Sequence, residues 1–185
     1  MTASPLLLSS AFNSTRTAKG AYGLAAAIIV VDQITKAWIW FGLRLQERGH
    51  VELGPVFDLT FVLNRGVSFG FLTGGDFGRW MLCLFSVLVA AGLAWWVRGA
   101  TRRLFAASMG LVIGGALGNV IDRIRLGGVI DFLNFENIHF PWVFNVADSA
   151  ISIGVALLLL DSFISDRETQ RHGKATVIGD SAGSE

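Results

Sequence analysis

Cysteine is almost absent from this chain. Cys83 stands alone inside an apolar run, so no disulfide can form within the chain and the thiol reads as a lipid- or core-facing group. The three histidines form no Cys/His cluster and no HExxH, so no metal or other cofactor is expected. Charge is scarce too. Only 16% of the 185 residues are Asp, Glu, Lys or Arg, and the net charge is +1, which leaves no nucleic-acid footprint. Ser68 has no base beside it in the sequence, a weak basis for serine hydrolysis. There is no internal repeat, and no small-x-small signal that would mark the first apolar run as a cleaved leader.

Apolar sequence is what the chain has in excess. At 52% hydrophobic it is too apolar for an ordinary soluble domain, and its length suits one domain. Four apolar runs, at 21–43, 80–97, 104–121 and 146–164, each approach the roughly 20 residues that span a bilayer core. The third is rich in glycine and alanine, which lets membrane helices approach closely. Residues 1–20 read as a polar cytosolic tail, 21–165 as the membrane domain with an outer segment at 44–79, and 166–185 as a disordered cytosolic tail. Four spans put both termini on one side. Eight Lys/Arg flank the spans on that side and six on the other, and Arg98, Arg102 and Arg103 crowd one short loop. The excess places the termini in the cytosol. In the outer segment Phe57, Leu59, Phe61 and Leu63 alternate with more polar positions, the period of a half-buried strand. Two further strands are expected at 129–135 and 142–144. The fold class is therefore an all-α, four-helix membrane protein with a small extracytoplasmic sheet.

The stretch 114–149 joins two apolar runs and carries Asp122, Asp131 and Asp148. Ionisable groups at a membrane surface are costly unless paired, hydrated or used. Asn119 and Arg123 share one helix face, and Asn145 and Asp148 share another. Asp131 and Asp148 are the pair suited to chemistry. Neighbouring carboxylates tend to share a proton, so one can take a proton from water while the other gives one to a carbonyl oxygen. On these residues alone, an N-cap for Asp148 and a loop role for Asp131 stay equally open. Asp122 and Arg123 read as interfacial snorkelling and helix-end electrostatics, or else Arg123 and Asn119 fix a substrate's backbone or orient the carboxylates. Asp32 and Lys36, four residues apart, read as an ion pair toward the bundle interior. Asn64 ends its strand, where its amide can serve a turn or an extended peptide. His50 and His139 read as interfacial. A small ion-coupled carrier, a presenilin-type protease and a non-enzymatic assembly factor are the competing classes. The acids cluster at one end, GxGD is absent, and Asp131 lies in a connection, all of which argue against them.

Together the motifs VDQITK (31–36), LNRGVSFGF (63–71), GGALGNVIDR (114–123), GVIDF (128–132) and FNVADSAI (144–151) resemble those of bacterial lipoprotein signal peptidase, or signal peptidase II. No single motif is specific, but the ordered set is, and it covers nearly all but the tails. The resemblance implies a membrane aspartyl endopeptidase of the bacterial inner membrane, acting as a monomer. Its substrates would be prolipoproteins, cut before a diacylglyceryl-modified cysteine. Asp131 and Asp148 would be catalytic, supported by Asn119, Asp122, Arg123, Asn145, Asn64, Asp32 and Lys36, beneath a β-cradle at the outer surface in contact with membrane lipid. Val67 stands where that family often has alanine.

Overall fold

The computed structural model describes residues 5–66 and 75–182, with side chains for 16–66 and 76–165. Val67 and Ser68 lie outside the described residues. Four helices are long and apolar enough to cross a membrane: Arg16–Gly42, Asp76–Gly99, Arg103–Leu126 and Val146–Ser165. Such helices satisfy their backbone polar groups internally, as a bilayer requires.

The first helix, α1 (Pro5–Ala37), runs on into a π-helical turn at Trp38–Gly42. A short helix, α2 (Leu45–Arg48), leads to strands β1 (His50–Val51) and β2 (Asp58–Asn64). Then come α3 (Gly75–Trp96), α4 (Arg103–Leu126), β3 (Val129–Phe135), β4 (Phe140–Phe144) and α5 (Val146–Ala182). Both terminal helices are longer than the apolar runs. Helix α1 starts at Pro5, a residue preset for the first helical position, where the polar sequence suggests a tail. Helix α5 continues through Ala182 where composition suggests disorder; its extension contains no proline to stop it.

Helix α4 is the hub. Two thirds of its span is buried (67%), against about a fifth of each of the others (17–22%). Its glycines explain how α1 and α5 reach it. A Cβ on Gly114 would lie 2.7 Å from the Ala25 carbonyl oxygen of α1, so only glycine permits this approach. Gly127, with φ +74°, ends the helix in the left-handed conformation and turns the chain into β3.

The sheet is an antiparallel meander in the order β1-β2-β3-β4. The strands expected at the third and fourth positions are present, and β4 starts at Phe140. Leu59, Ile130 and Phe132 pack with Ile39 and Leu45 beneath the sheet, which ties it to the end of α1. Strict alternation fails at Asp58, which is buried. Its carboxylate accepts hydrogen bonds from the Leu53 N–H at 2.9 Å and Asn137 Nδ2 at 2.8 Å. These bonds, that of Leu53 first, hold Asp58 below the ordinary carboxylate range.

Candidate functional site

The site lies where α4 ends, β3 begins and α5 starts. Register puts Asp131 opposite Val62, with Asn64 two residues further along β2. That is the diagonal neighbour in an antiparallel pair, within reach of a side-chain amide. Asn64 Nδ2 donates to Asp131 Oδ2 at 3.1 Å. Strand β4 pairs with β3 only from Leu133 onward, so the backbone of Ile130 has no strand partner on that side. Two side chains substitute. Asp122 Oδ2 accepts the Ile130 N–H at 3.2 Å, and Asn145 Nδ2 donates to the Ile130 carbonyl at 3.2 Å. Asp122 thus holds the strand that carries Asp131, a more definite role than helix-end electrostatics.

Helix α5 opens with a reciprocal cap. Asn145 Oδ1 accepts the Asp148 N–H at 2.9 Å, and Asp148 Oδ2 accepts the Asn145 N–H at 3.3 Å. Asn145 occupies the cap position and Asp148 the third helical position, the geometry of a capping box. Asp148 therefore has a capping role in addition to its place beside Asp131, and the two readings are compatible. Asn145 also donates to Asp131 Oδ1 at 2.7 Å, and is fully buried (0% exposed). One asparagine thereby joins both carboxylates. Asn119 Nδ2 holds the remaining Asp148 oxygen, Oδ1, at 2.7 Å. Burial and the nearby Asp148 charge push the Asp131 carboxyl up from 3.8 to about 6, against the hydrogen bonds from Asn64 and Asn145.

Behind the pair lies a buried ionic cluster. Lys36 Nζ is 2.8 Å from Asp32 Oδ2, 2.8 Å from Asp122 Oδ2 and 3.1 Å from Asn119 Oδ1. Asp32 Oδ1 accepts the Ala147 N–H at 3.0 Å, so it satisfies the start of α5 from α1. Gly118 gives it room: a Cβ there would sit 2.8 Å from Asp32 Oδ2. Arg123 reaches the Asn119 carbonyl at 3.4 Å through Nη1, while its Nε is buried with no partner among the described residues.

Every candidate residue named from the sequence is thus in one connected cluster. Gln33 belongs to it as well and was not singled out. Its Nε2 donates to Asp122 Oδ1 at 2.9 Å and Asp32 Oδ2 at 3.2 Å, and its Oε1 accepts from Arg125 at 3.3 Å. The available signal was a polar residue inside an apolar run, adjacent to Asp32. His50 and His139 stand outside the cluster: His50 bonds Thr60 at 2.9 Å, and His139 is a left-handed turn residue with φ 63°. Among the described residues no group of three His, Cys, Asp or Glu side chains is placed to hold a metal ion. The arrangement offers two adjacent carboxylates in different settings, one with a raised proton affinity, each held by amides.

Residues 24–164 match the family described as signal peptidase (SPase) II. The chain is similar to the lipoprotein signal peptidase of Caulobacter vibrioides, 54% identical over 155 residues, which cover 82% of this chain and 91% of that protein. It is 46% identical over 138 residues to the lipoprotein signal peptidase of Methylorubrum extorquens, with coverage of 74% and 81%. Its fold is similar to that of a bacterial membrane enzyme solved by the in meso method at 2.3 Å, with a TM-score of 0.69 and 24% identity over 82% of this chain and 91% of that one.

Proposed function

The chain belongs to the signal peptidase II family, and from that premise we propose that it cleaves the signal peptide of prolipoproteins immediately before a diacylglyceryl-modified cysteine, with Asp131 and Asp148 activating water. The observation that carries the mechanism is the shared Asn145. It holds Asp131 through its side chain and Asp148 through its backbone N–H, which supports the reading that the two carboxyls act together. The pair works with a single proton. The ionised member takes a proton from water as the oxygen attacks the scissile carbonyl carbon. The protonated member gives its proton to the carbonyl oxygen, forming a tetrahedral diol. As the C–N bond breaks, the member that took the water proton gives it to the leaving nitrogen, and a diol hydroxyl gives its proton to the other member as the carbonyl re-forms, so the pair again holds one proton. The raised proton affinity of Asp131 suits the donor role in the first step. Arg123, whose buried Nε has no partner among the described residues, suits a substrate carbonyl. The substrate peptide lies extended along the sheet, where main-chain hydrogen bonding is available.

The test is direct. The purified protein, incubated with a diacylglyceryl-modified prolipoprotein, is expected to release a signal peptide whose C-terminus is the residue before the modified cysteine. An unprocessed substrate, or a cut elsewhere, rules the reading out.

We place both termini in the cytosol and the dyad at the outer surface of the inner membrane. The support is the arginine-rich loop between α3 and α4, where Arg98 stacks 4.8 Å over the Trp95 ring at the helix end. Reporter fusions at residues 100 and 185 are expected to read cytosolic, and a fusion at 137 external. A cytosolic signal at 137 would invert the orientation.

A further inference from the structure

Lys36 is 2% exposed, and its hydrogen bonds all point inward. Two contacts go to carboxylates, Asp32 on its own helix and Asp122 on α4. The third goes to a neutral amide, Asn119 Oδ1 at 3.1 Å. An ammonium can only donate, so this contact dictates which end of the amide faces Lys36. The other end, Nδ2, is thereby turned toward Asp148 Oδ1, 2.7 Å away. Without Lys36, the Asn119 oxygen keeps only Asn145 Nδ2 at 3.3 Å. That donor is already committed to Asp131 at 2.7 Å and the Ile130 carbonyl at 3.2 Å. Among the described residues, Lys36 is the one donor to the Asn119 oxygen that is not shared with Asp131 or Ile130, so it adds the strongest hold on an orientation that the Asp148 contact also favours.

We propose that Lys36 is a positioning residue: it locks the Asn119 amide with its donor end on Asp148, and its charge sets the pH range in which Asp131 and Asp148 hold a single proton between them. This deepens the dyad reading above and rests on it. The charges facing the centre come from four elements. Asp32 and Lys36 lie on α1, Asp122 and Arg123 on α4, Asp131 on β3 and Asp148 on α5, with Arg125 further out behind Gln33. Four carboxylates thus face two close cations. Loss of Lys36 leaves one, and like charges favour protonation. The Lys36 charge already acts on Asp131 in that direction, lowering its proton affinity against burial and Asp148.

The experiment compares pH profiles of kcat/KM on a lipidated prolipoprotein peptide for the full chain and three variants, with thermal unfolding of each. In Lys36→Met the active range is expected to move up by about one pH unit, as loss of a nearby opposite charge does. Its kcat is expected to fall about a hundredfold, the scale of a misplaced reacting group, with KM little changed. Lys36→Arg keeps the charge and is expected to keep the parent's pH range. Lys36→Met with Asp122→Asn removes one charge of each sign, and is expected to return the range toward the parent's. A parent-like profile and kcat in Lys36→Met would overturn the proposal, as would a double variant displaced as far as the single. If Lys36→Met does not fold, the charge-balanced variant decides: a parent-like range supports the proposal and a displaced one overturns it. Should dyad variants of the parent still cleave, it is the dyad reading that fails.

Discussion

Asp131→Asn and Asp148→Asn are each expected to lose cleavage by a factor on the order of 10⁴ or more, with the double variant little worse than either single one, as for other residues that act as a unit. The reason is the proton cycle. In the proposed mechanism each carboxyl performs half of it, so removing one leaves the other without a counterpart. Asparagine keeps the shape and removes the titrating proton, but it can accept at only one end, so one of the two hydrogen bonds to each carboxyl is lost. The pH profile of the parent is expected to be bell-shaped, with two apparent values that belong to the pair. Its alkaline limb marks loss of the shared proton. Because Asp131 is pushed up to about 6, that limb falls well above the ordinary carboxylate range near 4.

The sign for stability follows from the same shift. Between about pH 4 and 6 the folded state binds more protons at Asp131 than the unfolded state does, so stability falls as pH rises through that window. At pH 7 the ionised, buried Asp131 opposes folding. Asp131→Asn removes that penalty and loses one accepted hydrogen bond, opposing effects, so its thermal midpoint at pH 7 is expected to stay close to the parent's. An inactive variant that is fully folded separates chemistry from misfolding. Near-parental turnover in Asp131→Asn, with Asp122→Asn inactive, would move the catalytic role to Asp122.

The second large effect concerns lipid. A prolipoprotein peptide with an unmodified cysteine is expected to be cleaved with kcat/KM about a hundredfold lower or worse than its diacylglyceryl form, because an ångström-scale misplacement of the bond costs that much. The carboxylates sit where α4 and α5 meet the sheet, at the end of two apolar spans. A bond presented there needs an anchor at the same depth, and each buried methylene of an acyl chain contributes about 0.8 kcal/mol toward it. The comparison uses one peptide sequence in one detergent or bilayer, with and without the diacylglyceryl group. Equal kcat/KM for the two would sink the lipid requirement and leave the dyad chemistry untouched.

Much of this protein was legible before its tertiary structure. Apolar runs of bilayer length leave a backbone few options besides helix, so four spans follow from composition. Period-two alternation marked β2, and carboxylates at the ends of apolar runs marked the candidate site. The unusual positions in that pattern were informative because burial of charge is costly in any fold. What sequence spacing could not contain is which polar groups meet. Asp32 caps α5 across 115 residues, and Lys36 bridges to Asn119 across 83. Those contacts exist because Gly114 and Gly118 let α1 lie against α4, which local periodicity does not encode. Gln33 is unmarked by spacing for the same reason: besides Asp32 beside it, its partners Asp122 and Arg125 lie on another helix. Asp58 broke the alternation because the Leu53 N–H and the Asn137 amide close over it. Asp148 divided two local readings that tertiary structure made one. The cap it forms with Asn145 is local, and so visible in the spacing, whereas Asp131, its partner in the proposed pair, arrives on β3. Local sequence determines what a residue can do, and only packing decides what it does it to.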